Sequence, residues 1–535
     1  MMPCVMPNPA SGAFRRPRLA FRTLPIEVPG AVVWRTLFSD ATTPAIWLDS
    51  SSSDQQEGHH QGHGGAGRFS ILCDASGPGA EYLRYTVGKP GEPGGNGGLF
   101  AHVARRVALG DTDLAVPEDW PCEFALGWVG AWGYELRHLI EPAHGVGSAQ
   151  GAPDLPQAPD AALIFATRAV VIEHGVGTHL MVLTDEANPA TAAEQQDWLD
   201  ATDARLRDSV PAPSPRSDYR PMQPGRDVPF RFVQSKQRYL DNINRCLEYI
   251  AAGDSYEICL TNTAIGPSIA DIVPLEATKA TQATETAVPT ERDPYLAAFE
   301  RLRAVSPVPY GVFARFPGTS EGERDVRVLG ASPERFLKVS AGGHVSAKPI
   351  KGTRPRATSP AADAHIADEL RGNPKDRAEN LMIVDLLRND IGRVCTTGSV
   401  QVPVIFDVET YSHVHQLVST IEGQLAPGHS VVDLLVACFP GGSMTGAPKV
   451  RTMEIIAELE GMPRGLYSGA IGWLSPTGAA DLSITIRTLV DDGQRASFGV
   501  GGAIVADSDP EAEFEETLVK ASALLDALGA YLEFS

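Results

Sequence analysis

No apolar run in this sequence approaches the roughly 20 residues that a membrane-spanning helix needs, so no membrane role is expected. Cysteine is scarce: there are 7 in 535 residues, widely spaced and without one Cys-x-x-Cys pair. That pattern is neither a disulfide framework nor a zinc module, and reduced thiols in a cytoplasmic protein are the plain expectation. Basic charge is in deficit as well, with 45 Lys plus Arg against 66 Asp plus Glu and a net charge of −21. Such a chain is a poor general binder of nucleic acid or of anionic membrane. A small anionic substrate stays open, because a local cation reverses the field around it. What is present is globular in composition, at 43% hydrophobic and 21% charged, which excludes wholesale disorder.

Along the chain, residues 1–30 read as an irregular, Pro-rich lead. Arg15, Arg16, Arg18 and Arg22 fall in its first 26 residues with no acid among them. A transit peptide has that composition, but no secretory apolar stretch follows. The Ser-, Gly- and His-rich stretch 50–67 reads as a loop. Its His59, His60 and His63 lack a carboxylate or cysteine partner at useful spacing, so a solvated cluster is expected rather than a metal site. Val210-Pro-Ala-Pro-Ser-Pro-Arg216, Pro-rich to Pro229, is the best boundary, with a long surface loop inside one domain as the alternative. Beyond it, Tyr239, Ile243, Leu247 and Ile250 recur at helical spacing, which predicts an amphipathic helix over 235–252 ending near Gly253. Residues 267–292, without aromatics and rich in Ala and Thr, read as an inserted loop.

The remainder is dense in chemistry. Pro349-Ile-Lys-Gly-Thr-Arg-Pro-Arg356 places Lys351 beside a glycine that permits close approach of backbone to ligand. A free lysine is almost wholly protonated at neutral pH, so a nucleophilic Lys351 needs desolvation, a nearby cation or a base. Alone, a surface lysine beside a turn is the simpler account. Asp376 and Glu379 share one helical face, and Glu513, Glu516 and Lys520 share another. Two such faces can hold one hard cation, or they are two solvated acidic helices. Glu334 follows a strand in Ala331-Ser-Pro-Glu-Arg-Phe336. His415 sits among apolar neighbours, where a satisfied core histidine is the ordinary case. Gly441-Gly-Ser443-Met-Thr-Gly-Ala-Pro-Lys449 leads into a helix and suits anion contact, but it is not a Walker A loop. Ser483-Ile-Thr-Ile-Arg487 reads as a strand with Arg487 alternating out of it.

Individually weak, these motifs together, in this order over residues 240–535, resemble the chorismate-utilising enzymes, with a weaker echo at Trp47-Leu-Asp-Ser50 and Gly127-Trp-Val-Gly130. The resemblance implies an α+β fold, a large two-sheet β-sandwich with outer helices. It divides the chain into the lead 1–30, an anthranilate-synthase-component-I-like region 31–228, and a chorismate-binding catalytic region 229–535 that carries the insert 267–292. It implies chorismate as substrate and Mg²⁺ as cofactor. Within the family, lysine rather than alanine at position 351 resembles the aminodeoxychorismate-forming branch of the folate route, with the anthranilate-forming branch and a non-catalytic chorismate binder as alternatives.

The resemblance also implies a role in the family's chemistry for each of these residues. Lys351 attacks C2 of chorismate as the C4 hydroxyl departs, and ammonia then attacks C4 and expels the lysine. Glu334 is the implied general acid, with His415 and Thr353 near the departing hydroxyl. Glu379 and Glu516 are implied Mg²⁺ ligands, with Asp376 and Glu513 beside them. Tyr467, Arg487 and the amides of Gly501, Gly502 and Ala503 hold the enolpyruvyl carboxylate. Lys520 adds charge at the metal end, and Ser443 lies on the anion-contact turn. Glu257 stands where many relatives carry glutamine and where water-using relatives carry lysine, which speaks against water as nucleophile. No glutaminase-like Cys/His set is found, so ammonia is expected from a separate glutamine amidotransferase.

Overall fold

A computed structural model describes residues 15–50, 67–89, 98–109, 113–141, 155–209, 228–273, 293–411 and 414–534. His59, His60, His63, the Pro-rich stretch 210–227 and residues 274–292 lie outside them. Among the described residues the strands form one sheet of thirteen and one of ten. Strands from both sides of position 228 enter each sheet. In the larger sheet, Ala45–Asp49 pairs with Tyr310–Phe316. In the smaller, Gly127–Trp132 pairs with Ala470–Leu474.

The sandwich follows from strands that are apolar on both faces. In Phe69–Asp74, Ile71 and Cys73 point into the core between the sheets, among Leu163, Phe165 and Leu337 of the smaller sheet. Leu72 between them points outward into a second core with Trp34, Leu199, Phe299 and Leu524, from four helices that cover the outer face. Strands buried on both sides read as continuous apolar runs rather than alternating ones. Helices coat the outside, as the α+β expectation requires. No described helix is long and apolar enough to cross a membrane.

The helix expected over 235–252 is Lys236–Ala251, capped by the Ser235 hydroxyl, which accepts from the Arg238 amide. Two readings are corrected. The lead 1–30 is not irregular throughout: Pro17–Leu24 is the edge strand of the larger sheet, in register with Gly177–Asp185. Leu19 and Leu24 are buried, and Arg22 faces out to Asp200 at 2.6 Å. The arginines at 18 and 22 therefore have a structural use. The insert starts later than residue 267, because Pro267 still belongs to the strand Glu257–Pro267 and Ile269–Ile272 forms a helical turn.

Candidate active site

The chain passes from the larger to the smaller sheet between Ser332 and Arg335, and back between Ile484 and Thr488. Glu334 lies on the first crossing and Arg487 on the second. The crossings are tied together, with the Ile484 amide donating to the Glu334 carbonyl and the Ala331 amide to the Arg487 carbonyl, both at 3.0 Å. Arg487 is thus not a strand residue. It holds a left-handed backbone at φ +49°, a conformation that costs about 1–3 kcal/mol for a non-glycine and clusters at functional sites. Both side chains line a cavity of about 860 Å³, within the size range of small-molecule sites.

Every residue given a catalytic, substrate or metal role from the sequence lines this cavity except His415, and Glu257 lies just behind the lining, against Lys351. Lys351 reaches it through a bulge. The strand Ile350–Pro355 pairs with Val414–Gln424, and its register shifts between Ile350 and Thr353. Gly352 permits the shift at φ +83°, and a Cβ there would stand 2.7 Å from Cγ of Asp376. Lys351 Nζ donates to Oε1 of the wholly buried Glu257 at 2.6 Å. Burial pulls the lysine down, but the Glu257 and Glu379 carboxylates more than offset it and hold the ammonium above its ordinary range. Desolvation by itself does not leave the amine lowered, because a carboxylate stands against it.

Glu334 is the opposite case. Burial pushes its carboxyl up to about 7, only partly countered by a hydrogen bond from Ser443 and by Lys351 and Lys520. It can hold a proton near neutrality, which a general acid must do. Burial lowers the Arg487 guanidinium, and no carboxylate among the described residues pairs with it, so its charge is available to an anion. Nearby, Gly499 packs against the Tyr467 ring, where a Cβ would come within 2.3 Å. Gly501, Gly502 and Ala503 continue that strand along the cavity.

Two helices supply the acidic wall. Pro374–Gly392 starts at Asn373, whose side chain accepts from the amides of Lys375 and Asp376. Pro510–Leu528 starts at Asp509, which caps the amide of Ala512. Asp376, Glu379, Glu513 and Glu516 all face the cavity. Burial, together with Glu257 and Glu513, raises Glu379 to about 7 despite Lys351 and Lys375. Lys375 Nζ stands 3.1 Å from Glu513 and 3.9 Å from Glu379. Lys520 bonds Glu516 at 2.7 Å and the Gly501 carbonyl at 2.9 Å. These are hard oxygen donors. Among the described residues no three acidic, His or Cys side chains form a ready metal cluster.

The structure does not bring His415 to the cavity. Successive side chains of a strand point to opposite faces, so Val414 and Gln416 line the cavity and His415 points away. Its ring sits between the Thr410 hydroxyl and the Asp363 carboxylate, 2.9 Å from each. Gln416 and Lys375 are cavity residues that sequence reasoning missed. The first had no local signal, because its side follows from the pairing of Gln416 with Thr353. Spacing of i, i+4 to Glu379 was the signal for the second.

A buried acid, a lysine paired with a carboxylate, an unpaired guanidinium and a carboxylate wall line a cavity suited to a small, charged organic molecule. Comparison with known proteins agrees. The chain matches the chorismate binding enzyme family over residues 74–275 and 269–526, and belongs to it. It is 42% identical over 97% of its length to an aminodeoxychorismate synthase of Streptomyces pristinaespiralis, of which it spans 66%. It is 37% identical to anthranilate synthase component 1 of Streptomyces coelicolor, covering 82% of this chain and 79% of that one. Its fold is similar to the crystal structure of anthranilate synthase component I from Streptococcus pneumoniae, with a TM-score of 0.65 at 27% identity over 88% of this chain and 94% of that one. The chain thus spans less than two thirds of the length of the aminodeoxychorismate synthases it matches.

Proposed function

We propose that this chain aminates chorismate at C4 with ammonia to give 4-amino-4-deoxychorismate, as the chorismate-binding part of an aminodeoxychorismate synthase. The observation that carries the reading is Lys351, a buried amine in one cavity with the protonatable Glu334. The enolpyruvyl carboxylate lies against Arg487, Tyr467 and the Gly501–Ala503 backbone. The Lys351 amine attacks C2 while Glu334 protonates the departing C4 hydroxyl, which leaves as water. Ammonia then attacks C4 and the lysine leaves. Thr353, across the bulge from Lys351, and Ser443, bonded to Glu334, orient these groups.

Glu379 and Glu516, with Asp376 and Glu513 beside them, would hold Mg²⁺, which would neutralise the ring carboxylate when bound. Ammonia comes from a glutamine amidotransferase. The described cysteines are all free thiols, which supports a reducing compartment such as the cytoplasm.

The test is a product assay on the purified chain with chorismate, Mg²⁺ and an ammonium salt. An aminated product with pyruvate retained is expected. Anthranilate with free pyruvate would instead favour the tryptophan-route reading, which the likeness to anthranilate synthase component 1 keeps in view.

A further inference from the structure

Glu257 has no role in the chemistry above, yet it is the most completely enclosed carboxylate near the reacting amine. It is 0% exposed. One oxygen accepts from Lys351 Nζ at 2.6 Å, and Oε2 is buried with no hydrogen-bond partner. Buried polar atoms are nearly always satisfied, so a carboxylate oxygen left open behind a catalytic amine needs a reason. The backbone there cannot easily move. Glu257 pairs with Ala447 and Ile258 with Ile504, and Gly446 packs so closely that a Cβ would stand 1.9 Å from the Glu257 carbonyl. The carboxylate is therefore fixed against Lys351 Nζ without itself lining the cavity, where it can take a proton from the amine.

We infer that Glu257 is the proton acceptor that frees the Lys351 amine for attack and returns the proton when the lysine is expelled. The inference rests on the lysine-adduct reading above. In the resting site the pair is ammonium and carboxylate. A proton moves from Nζ to Glu257, and the neutral amine forms the N–C2 bond. The ring double bond shifts and the C4–O bond breaks, with Glu334 supplying the proton that makes the leaving group water. The adduct is a secondary ammonium. Attack of ammonia on C4 shifts the double bond back and breaks the N–C2 bond, so Lys351 leaves as an amine. Glu257 returns its proton to that amine, and the new C4 ammonium gives one proton to Glu334. Both acids end as they began, and chorismate plus ammonia has become aminodeoxychorismate plus water.

The other charged or titratable groups that act on Lys351 and Glu257 are Glu379, Cys259, Glu334 and Glu516. Among the described residues only Glu257 lies within ion-pair distance of the lysine.

The test uses Glu257→Gln, which keeps the size and one acceptor but cannot take a proton, and Glu257→Asp, which keeps the carboxylate. With chorismate and Mg²⁺ but no ammonia, wild type should accumulate a Lys351 adduct of chorismate less water, read by peptide mass spectrometry. In the Gln variant, adduct formation and kcat at pH 7 should fall about 10²-fold or more, with KM for chorismate little changed. Both should recover as pH rises and solvent deprotonates the amine. The Asp variant should keep more activity than the Gln variant at pH 7. A Gln variant with wild-type kcat, adduct rate and pH profile overturns the inference while leaving the proposed activity intact. Parallel losses in Asp and Gln variants with no recovery at high pH also overturn it, and mark Glu257 as structural. A wild-type enzyme that makes anthranilate, or no adduct at all, overturns the proposed activity and the inference with it.

Discussion

The same cavity treats two ionisable residues in opposite ways. Lys351 is held charged by carboxylates, while Glu334 is pushed toward neutrality by burial with too few compensating partners. Replacing Lys351 with alanine should abolish the adduct and cut aminodeoxychorismate formation by at least two orders of magnitude. The product mixture should shift toward anthranilate, as mass spectrometry would show. Full-rate aminodeoxychorismate formation by the variant would dismiss covalent catalysis.

Glu334 also leaves a mark on stability. Its folded-state value near 7 lies above the ordinary 4.5, so the stabilisation it contributes is complete below about 4.5 and lost as pH rises through 7. The gap is worth roughly 3 kcal/mol. Glu334→Gln has nothing to ionise. Its Tm should therefore exceed that of wild type above pH 7 and converge with it toward pH 5, while turnover collapses. A Tm difference that does not change with pH would contradict the buried-acid assignment.

At the scale of the element, the bulge in Ile350–Pro355 turns an ordinary sheet strand into the carrier of the lysine that lines the cavity. Gly352 serves that bend twice, through its positive φ and through its contact with Asp376 at the start of the neighbouring helix. Gly352→Ala should destabilise the fold by about 1–3 kcal/mol and disable the site, as thermal unfolding and kcat would reveal together. The helix Pro510–Leu528 contributes the other carboxylates. Glu516 is held below its ordinary range because Lys520, Lys375 and Lys351 outweigh its burial. Glu516→Gln should raise the Mg²⁺ concentration needed for half-maximal activity tenfold or more; an unchanged Mg²⁺ titration would remove it from the metal shell.

At the scale of the molecule, both sheets are woven from sequence-distant strands. The contacts of Ala45–Asp49 with Tyr310–Phe316 and of Gly127–Trp132 with Ala470–Leu474 cross position 228 in each sheet. A fragment of residues 229–535 would expose apolar strand edges and one face of the core. It should fail to give a cooperative thermal transition, whereas co-expression with residues 1–228 should restore one. Cooperative unfolding of the isolated fragment would show that the catalytic region folds alone.

Much of the site was legible in the chain itself, because its signals are local. Charged residues at helical spacing announce a shared face whatever the helix packs against, and Lys351-Gly352 announces an unusual backbone. The helix at 236–251 followed from periodicity alone, and the family from the order of motifs. Other features depend on which strand pairs with which. Whether His415 or Gln416 faces the cavity turns on a one-residue alternation that only the pairing with Thr353 and Arg354 settles. Arg487 read as a strand residue because the switch between sheets has no local signature. Glu257 and Lys351 lie 94 positions apart, and no periodicity links them. Their contact, and the burial that lifts Glu334, exist only once both sheets close around the cavity and exclude water.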